Sequence, residues 1–484
     1  MAASDRTGFD EEGTGASLGT PEFSVGKDVK GARPRPRVLV IAEAANPEWV
    51  SVPLVGWSLA RALAGLADVH LVTQVRNREA ILRAGLVEGQ DFTAIDSEAL
   101  ARPLWALGNW LRGGDGKGWT ALQLVNALSY PWFERLVWRR FGDDIRAGRY
   151  DVVHRITPLS PVIASPLAAQ CARAGVPFVL GPLNGGVPWP SAFDAARRAE
   201  REWLSYIRGA YKLLPGRGRT LRHAAAILAG SRHTASEIPP QHQGRVIWLP
   251  ENAIDPQRFA GQADPAPGPL RACFIGRLVP YKGPDMLLDA AAPLLRDGRM
   301  VLDIIGDGPM MAGLQAQAAR DGLTGAVTFH GWLTQEALRD VALRSGIMVF
   351  PSVREFGGGA VLEAMALGLA PVVVDYAGPG ELVTEGVGYK VPLGDRAAIV
   401  AGLRAMLTAL AADPDGVAAT GGSARARVRT HFTWAAKARQ VSYVYDWVLG
   451  RRSTPPVFYT QSQPILSYLP DGNDAKQEAS DVVA

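Results

Sequence analysis

The sequence predicts an α/β protein with two Rossmann-like domains, each built on a parallel β-sheet. The chain has 484 residues, which is too long for a single hydrophobic core. Near its start, an apolar strand at 38–42, a helix-period run at 54–66 and a second strand at 69–73 follow one another, as at the beginning of a parallel sheet. A second array of strands and helices begins at Leu270, after the proline-rich run 264–269 that is typical of a linker.

These patterns divide the chain into two domains and two tails. Residues 1–35 are small, polar and glycine-rich, and we expect a disordered tail. Residues 36–262 are expected to form the first domain and residues 270–430 the second. A helix-like segment at 431–450 follows, and the polar, proline-containing residues 451–484 are expected to be extended or disordered.

Composition excludes several classes of protein. The chain carries 51 basic and 47 acidic residues, too small an excess of positive charge for a nucleic-acid binder. Its two cysteines, Cys171 and Cys273, lie in apolar runs and suggest neither a disulfide framework nor a zinc site. Neither the apolar core of a signal peptide nor a membrane-spanning apolar run is visible, so a cytoplasmic location is expected.

The stretch 349–375 carries the strongest chemical signal. A strand is followed by Gly357, Gly358 and Gly359 and then by a helix-period run from Ala360. A glycine turn that opens a helix directs backbone N–H groups and the positive end of the helix dipole at an anion such as a phosphate. The alternative is an ordinary strand-turn-helix that binds nothing.

Two carboxylates bracket this turn. Glu355 precedes the glycines, and Glu363 follows them on the second turn of the predicted helix. At this spacing both side chains could face one ligand. The alternative for Glu363 is a position on a solvated helix face.

A second stretch, 272–283, places two cations after a strand. It reads as an apolar run, then Gly276 and Arg277, then Lys282. Arginine offers a planar fork of donors and lysine a mobile point charge, a combination that suits a diphosphate.

Together the two stretches resemble the donor half of the retaining glycosyltransferases of family 4, the group-1 glycosyltransferases, which have the two-domain GT-B architecture. The motif G-R-L-x-x-x-K-G stands at 276–283 and E-x7-E at Glu355 and Glu363. Further matches are IIGDGP at 304–309, VTFHGWL at 327–333 and GPGELV at 378–383. The resemblance implies two Rossmann-like domains that face a cleft, with the helix at 431–450 crossing back onto the first domain.

The resemblance also implies roles for individual residues. Arg277, Lys282 and the backbone at 357–360 would neutralise the diphosphate of a nucleotide-sugar donor. Glu355 would bind hydroxyls of the donor sugar and Glu363 the ribose, while Gly276 and Trp332 would lie against the nucleotide. Since side chains neutralise the diphosphate, neither a metal nor a separate cofactor is expected, and Asp413-Pro414-Asp415 is interpreted as a turn.

Two features point to the acceptor side of the cleft. The strand that ends in His154 resembles the family segment in which a histidine at the cleft edge contacts the donor sugar or the acceptor, although Ile156 stands where a second histidine is frequent. Asn184, Gly185 and Gly186 form a glycine-rich turn that would allow close approach of a sugar. The alternatives are a structural histidine and a tight turn.

Tryptophan and arginine alternate in helix-like spacing between residues 100 and 150, and a second basic and aromatic run follows at 197–222. Such a surface suits the interface of an anionic membrane, and we predict a peripheral contact with the inner leaflet. The alternative is that the tryptophans pack on the core and the arginines form a solvated face.

The resemblance thus implies hexose transfer with retention, to a hydroxyl of a glycan or lipid-linked acceptor in polysaccharide or glycolipid synthesis. Two other readings stay open. One is a nucleotide-sugar hydrolase or epimerase with the same architecture. The other is a non-catalytic partner in a polysaccharide assembly complex, against which the intact Arg277, Lys282, Glu355 and Glu363 argue.

Overall fold

The structure is a computed structural model, and it describes residues 34–98, 119–194 and 216–459; of residues 119–128 it describes the backbone. The chain divides into a unit Met1–Arg35 and a unit Pro36–Ala484. Everything below concerns the second unit, because the predicted tail 1–35 lies outside the described residues except for its last two positions.

The first sheet has seven parallel strands in the order β3-β2-β1-β4-β5-β6-β7. Its strands are short apolar runs that are buried on both faces, as parallel sheets require. Their bounds are β1 Arg37–Ala42, β2 Asp68–Gln74, β3 Phe92–Ile95, β4 Val152–Thr157, β5 Phe178–Leu183, β6 Ala226–Ala229 and β7 Val246–Trp248.

The second sheet has six parallel strands in the order β10-β9-β8-β11-β12-β13. Their bounds are β8 Leu270–Ile275, β9 Met300–Ile305, β10 Val327–Gly331, β11 Ile347–Phe350, β12 Ala370–Val374 and β13 Tyr389–Val391. The predicted two-sheet α/β fold is confirmed.

Helices connect the strands of both sheets. In the described part of the first lobe they are α1 Val52–Ala64, α2 Arg78–Arg83, α3 Trp119–Arg146, α4 Pro166–Arg173, α5 Arg217–His223 and α6 Arg232–Ser236. In the second lobe they are α7 Pro284–Arg296, α8 Met311–Arg320, α9 Gln335–Ala342, α10 Gly359–Ala366, α11 Ala377–Leu382, α12 Arg396–Leu410 and α13 Pro414–His431, and α14 Trp434–Val448 follows them.

Strand order places a crevice in each sheet. In the second sheet the chain passes from β8 outward to β10, returns to β11 beside β8, and continues outward on the other side. The loops after β8 and β11 therefore diverge at the carboxyl edge, and such a switch point is where open α/β sheets bind ligands. In the first sheet the corresponding point lies between β1 and β4.

Helix α14 returns to the first lobe, as the cross-over prediction expected, and packs on α1. Its entry is fixed by a bridge between Ile254 and Thr433, where the Ile254 amide donates to the carbonyl of Phe432 at 2.8 Å. The chain after α14 differs from the predicted loose tail over its first nine residues, because Phe458 and Tyr459 are buried. Tyr459 accepts a hydrogen bond from Gln440 of α14 at 2.8 Å.

Two smaller findings complete the fold. Cys171 and Cys273 are buried and unpaired with each other, as expected from their apolar surroundings. Among the helices that the structure describes, none taken singly has both the length and the apolar character to cross a membrane; the pair α12 and α13, bent by 105°, meets those criteria only when the two are counted together.

Candidate functional site

The candidate site lies at the carboxyl edge of the second sheet, where the loops after β8 and β11 leave neighbouring strands. The first of these loops, 276–283, contains the predicted cations. The second, 351–358, contains Glu355 and the glycine turn. Because both loops begin at the same edge, the structure brings the two predicted motifs together.

The loop after β8 is held by the 304–309 motif. The amide of Gly276 donates to the carbonyl of Ile305 at 3.0 Å, and the amide of Leu278 donates to that of Asp307 at 2.9 Å. A Cβ on Gly306 would overlap the carbonyl oxygen of Gly276, and one on Gly308 would lie 2.5 Å from that of Leu278. Glycine at both positions is therefore what lets the two loops pack backbone against backbone.

Lys282 is at the centre of the site. It ends the short 3-10 turn Pro280–Lys282, and its Nζ lies 3.1 Å from a carboxylate oxygen of Glu355. The same ammonium lies 5.2 Å from the centre of the Phe350 ring, which is the last residue of β11. The side chains of Lys282 and Glu355 are 17% and 24% exposed, so the pair is shielded from bulk water but can be reached by a ligand.

Arg277 contrasts with Lys282. Its side chain is exposed and makes neither a hydrogen bond nor an ion pair with another described residue. It lies at the same sheet edge, one residue after Gly276, with its guanidinium available to an incoming anion.

The glycine turn offers a set of unused donors. The amides of residues 357–360 donate to no acceptor in the described part of the chain. Gly358 has φ 62°, a left-handed conformation, and it precedes helix α10 without a side-chain cap. Free amides and the positive end of a helix thus face the ligand side of the turn, as the sequence predicted for an anion site.

The 378–383 segment packs against the backbone of the glycine turn. Gly378, in the 378–383 segment, donates its amide to the carbonyl of Glu355 at 3.3 Å. A Cβ on Gly378 would overlap the carbonyl oxygen of Phe356, so only glycine permits this contact. The family-like segment after the second carboxylate therefore fixes the backbone of the turn.

Glu363 lies on the second turn of α10 and is half-buried, which does not fit the alternative of a solvated helix face. Burial raises its pKa to about 7, and the positive charges of Arg258 and Lys282 partly oppose that rise. The positive charge of Lys282 lowers the pKa of Glu363, and the same ammonium forms an ion pair with Glu355. One cation therefore interacts with both carboxylates.

The predicted base-binding segment lies at the same edge. Trp332 follows β10 and is 79% exposed. Gly331 has φ 66°, and the amide of Gly306 donates to its carbonyl at 2.8 Å. This bond ties the 331–333 loop to the 304–309 loop and so to Gly276.

Asn184, Gly185 and Gly186 occupy the junction between the lobes. Strand β5 continues to Leu183, and Asn184 is 7% exposed. Its Nδ2 donates to Glu251 at 2.7 Å, and its Oδ1 accepts from the amide of Gly185 at 2.8 Å. The Asn184 side chain is thus committed to structural bonds, whereas Gly185 and Gly186 are partly exposed.

The predicted contact between His154 and the substrate does not fit the structure. His154 lies inside β4, which continues to Thr157, and is 0% exposed. Its Nε2 donates to the carbonyl of Gly181 at 2.7 Å, so Nδ1 accepts from the hydroxyl of Tyr445, also at 2.7 Å. Burial lowers the pKa of His154 to about 4, and the ring is therefore a neutral link between β4, β5 and helix α14.

This assignment predicts the effect of Tyr445→Phe. The change leaves Nδ1 of His154 buried without its donor, and we expect the free energy of unfolding to fall by about 1–3 kcal/mol. Urea denaturation measures the loss, and kcat at saturating substrate should stay within about twofold of wild type. A tenfold drop in kcat with unchanged stability would instead indicate that His154 takes part in the reaction.

Sequence reasoning missed two residues at the site, Glu251 and Asn252. They lie on the segment that leaves β7, and a Cβ on Gly357 would overlap both the Glu251 carboxylate and the Asn252 amide. Their sequence signal is weak, because Pro-Glu-Asn before an apolar residue has no chemistry of its own. Only the fold brings it against the glycine turn.

Further contacts join the lobes around the site. The Glu381 carboxylate accepts from the amide of Arg232 at 2.9 and 3.0 Å, and the Tyr376 hydroxyl donates to the carbonyl of Pro188 at 2.8 Å. The rings of Trp189 and Tyr281 meet edge to face, with 5.9 Å between their centres. The two lobes therefore touch beside the glycine turn.

Acidic, histidine and cysteine side chains bear on the question of a metal site. No group of three or more histidine, cysteine, aspartate or glutamate side chains is placed in the described ranges to hold an ion. Asp413 instead begins helix α13, where its carboxylate accepts from the amide of Gly416 at 3.0 Å. It is a helix cap in place of the predicted turn.

Comparison with known sequences agrees with this geometry. The sequence model of the family described as glycosyl transferases group 1 matches residues 258–410. That range contains both loops of the site and all six strands of the second sheet. The chain therefore carries a group 1 glycosyltransferase domain.

Curated relatives match part of the chain. The 2-deoxystreptamine glucosyltransferase of Streptomyces kanamyceticus is 29% identical over 45% of this chain and 57% of its own length. The D-inositol 3-phosphate glycosyltransferase of Streptomyces griseus is 36% identical over 37% of this chain and 39% of its own length. The chain thus matches little more than half of the first of these relatives and less than half of the second.

Solved structures share the fold over most of the chain. HepE from Anabaena, crystallised with UDP, superposes with a TM-score of 0.54 at 16% identity and covers 85% of this chain and 100% of its own. Sucrose-phosphate synthase from Thermosynechococcus elongatus gives a TM-score of 0.55 at 17% identity, with 86% and 100% coverage. These similarities show the two-domain GT-B fold.

Proposed function

We propose that this protein is a metal-independent retaining glycosyltransferase of family 4, which moves a hexose from a nucleoside-diphosphate sugar to a hydroxyl of a glycan or lipid-linked acceptor. One observation carries the proposal. The unused amides at 357–360 and the ammonium of Lys282 converge at the switch point of the second sheet. The group 1 domain match and the names of the relatives support transfer of a sugar.

The chemistry follows from where charge develops. When the anomeric carbon separates from the diphosphate, negative charge builds on the distal phosphate. In this proposal, Lys282 and the amides of residues 357–360 would be fixed donors at that position, and fixed donors need no reorganisation during the reaction. The exposed guanidinium of Arg277 would add a mobile donor. The neutralisation that a metal ion provides in other enzymes would come from these groups.

The carboxylates have separate roles in this proposal. Glu355 holds the Lys282 ammonium at 3.1 Å and would accept hydrogen bonds from hydroxyls of the donor sugar. Glu363, further along α10, would accept from the ribose. No pair of carboxylates flanking the anomeric bond is required, in contrast to a retaining glycosidase.

Attack would take place on the face from which the diphosphate leaves. The acceptor oxygen forms the new bond to the anomeric carbon as the bond to the phosphate oxygen breaks, and the hydroxyl proton passes to the departing phosphate. Contact between the lobes would exclude water during this step.

Binding of nucleoside diphosphates tests the donor assignment. We expect UDP or GDP to raise the melting temperature, because a ligand at about 100 times its Kd stabilises the folded state by about 2.7 kcal/mol. HepE was crystallised with UDP, so UDP is the first probe. Uridine and guanosine, which lack the diphosphate, are the matched controls and should give a much smaller shift. If neither diphosphate shifts the midpoint, the proposed function is wrong.

Release of free sugar distinguishes transfer from hydrolysis. A transferase should release little hexose from the nucleotide sugar when no acceptor is present, whereas a nucleotide-sugar hydrolase would turn over at its full rate.

We further propose a cytoplasmic protein that contacts the inner leaflet through helix α3. Arg135 and Arg139 are exposed one turn apart, and Trp132 and Trp138 flank them and are half-buried. Trp138 also packs against the core, as expected if the tryptophans of this surface are core residues. The remaining tryptophans of the predicted surface, and residues 197–215 of the predicted run 197–222, lie outside the residues whose side chains the structure describes.

Flotation with liposomes tests this contact. Vesicles with anionic phosphatidylglycerol should carry the protein at low salt, and pure phosphatidylcholine vesicles should not. Exchanging both Arg135 and Arg139 for glutamate should abolish flotation. Absence of wild-type binding to anionic vesicles at low salt would contradict the proposal.

A further inference from the structure

The Glu251 carboxyl group lies where the two lobes and their connecting segment meet. It is 5% exposed. On one side, a Cβ on Gly230 at the end of β6 would lie 2.5 Å from its Oε2. On the other side, a Cβ on Gly357 would overlap its Oε1. A carboxyl group fits between these backbones only because both positions are glycine.

Glu251 is also bonded to the first lobe. Its Oε1 accepts from Asn184 Nδ2 at 2.7 Å, whereas its Oε2 is buried with no hydrogen-bond partner among the described residues. A buried carboxylate oxygen without a donor is costly as an anion, and protonation removes much of that cost. The surroundings therefore favour the neutral acid.

We propose that Glu251 is a positioning residue that couples donor binding to proton uptake: its carboxyl group wedges the Gly357 turn against the first lobe, and a bound diphosphate favours its protonated form. This inference rests on the proposed function, because it takes residues 357–360 as the diphosphate cradle. Glu251 itself touches the turn that would hold the donor.

The electrostatic argument has a definite sign. Burial raises the pKa of Glu251 to about 7; the Asn184 bond and the positive charge of Lys437 oppose the rise, and Glu355 adds to it. Lys437 on α14 and Glu355 in the turn are the charged groups that act on it, since Asn184, Gly230 and Gly357 carry no charge. A diphosphate at the adjacent amides adds negative charge, which raises the pKa further.

Linkage then requires a reciprocal effect. If the donor favours the protonated carboxyl group, protonation must favour the donor by the same factor. Affinity for a nucleotide sugar should therefore fall by about tenfold between pH 6 and pH 8, a coupling of ordinary size.

Calorimetric titration with UDP-glucose and GDP-mannose at pH 6, 7 and 8 tests the coupling. Both probes have a diphosphate that is esterified at both ends, so their own charge is constant over this range. Wild type should bind one of them more tightly at pH 6. Glu251→Gln mimics the neutral acid and can still accept from Asn184, so its affinity should fall less between pH 6 and pH 8 than that of wild type. The pH dependence that remains is assigned to Glu363, whose pKa burial also raises to about 7.

Two other variants separate the steric contact of Glu251 with the Gly357 turn from the effect of its charge. Glu251→Ala removes the wedge and should bind more weakly than wild type at every pH, with a melting temperature that reports any loss of fold. Glu385→Gln neutralises an exposed glutamate of the same lobe and should keep the wild-type pH dependence.

The outcomes are distinct. Binding of neither probe by wild type overturns the proposed function and this inference with it. Binding by wild type with the same pH dependence in Glu251→Gln overturns the inference and leaves the proposed function standing. A Glu251→Ala variant that binds as tightly as wild type at every pH overturns the positioning role.

Discussion

Lys282→Ala is expected to lower kcat for sugar transfer by about 10²–10³-fold, the usual cost of removing one fixed donor to developing negative charge. The reason is its position: the ammonium lies 3.1 Å from Glu355 at the sheet's switch point, and it is the cation that acts on both carboxylates of the site. Steady-state kinetics with a saturating nucleotide sugar measure the loss. Arg277→Ala, whose guanidinium is exposed, should lose activity in the same direction.

The control for Lys282 is another lysine of the same lobe that pairs with a carboxylate. Lys390 lies 3.0 Å from Asp375 and is 36% exposed, outside the two loops of the site. Lys390→Ala should keep wild-type kinetics, because an exposed ion pair contributes little to stability and this one contacts no part of the cradle. If Lys282→Ala kept more than about a tenth of wild-type turnover with an unchanged melting temperature, the site would be assigned to the wrong residues.

Local sequence was sufficient to predict that the 276–283 loop and the glycine turn lie at one sheet edge. The glycine turn, Lys282, Glu355 and Glu363 each follow a strand or open a helix, and their chemistry is set within a few residues of chain. Parallel strands then place the loops after β8 and β11 at one edge without further information. For this reason, motifs that each follow a strand in the sequence lie close together in the structure.

The surroundings of the residues predicted for the acceptor side depend on features that local sequence does not carry. His154 ends an apolar run, but β4 continues through three more residues and buries it beneath Tyr445, which is distant in sequence. The sequence around Asn184 predicts an open turn, yet the side-chain amide of Asn184 donates a hydrogen bond to Glu251. In each case a partner from another segment decides the role, and no pattern around the residue identifies that partner.

Gly357→Ala is expected to abolish binding of nucleoside diphosphates while leaving most of the fold intact. The new Cβ would overlap the Glu251 carboxylate and the Asn252 amide, so the turn must move away from them and carry its free amides with it. Overpacking of this kind costs about 1–3 kcal/mol of stability. The thermal shift with the active nucleoside diphosphate should disappear, and kcat/KM should fall by about 10²-fold or more, because donors displaced from the developing charge no longer stabilise it.

Gly313→Ala is the matched control, since it makes the same chemical change inside helix α8 of the same lobe. A Cβ there meets nothing within 4 Å, and alanine in an open helical position stabilises a protein by about 0.4–1 kcal/mol. Its diphosphate binding and kinetics should equal those of wild type. If Gly357→Ala bound the diphosphate as well as Gly313→Ala did, the amides of residues 357–360 could not be the cradle, because the overlap at residue 357 requires them to move.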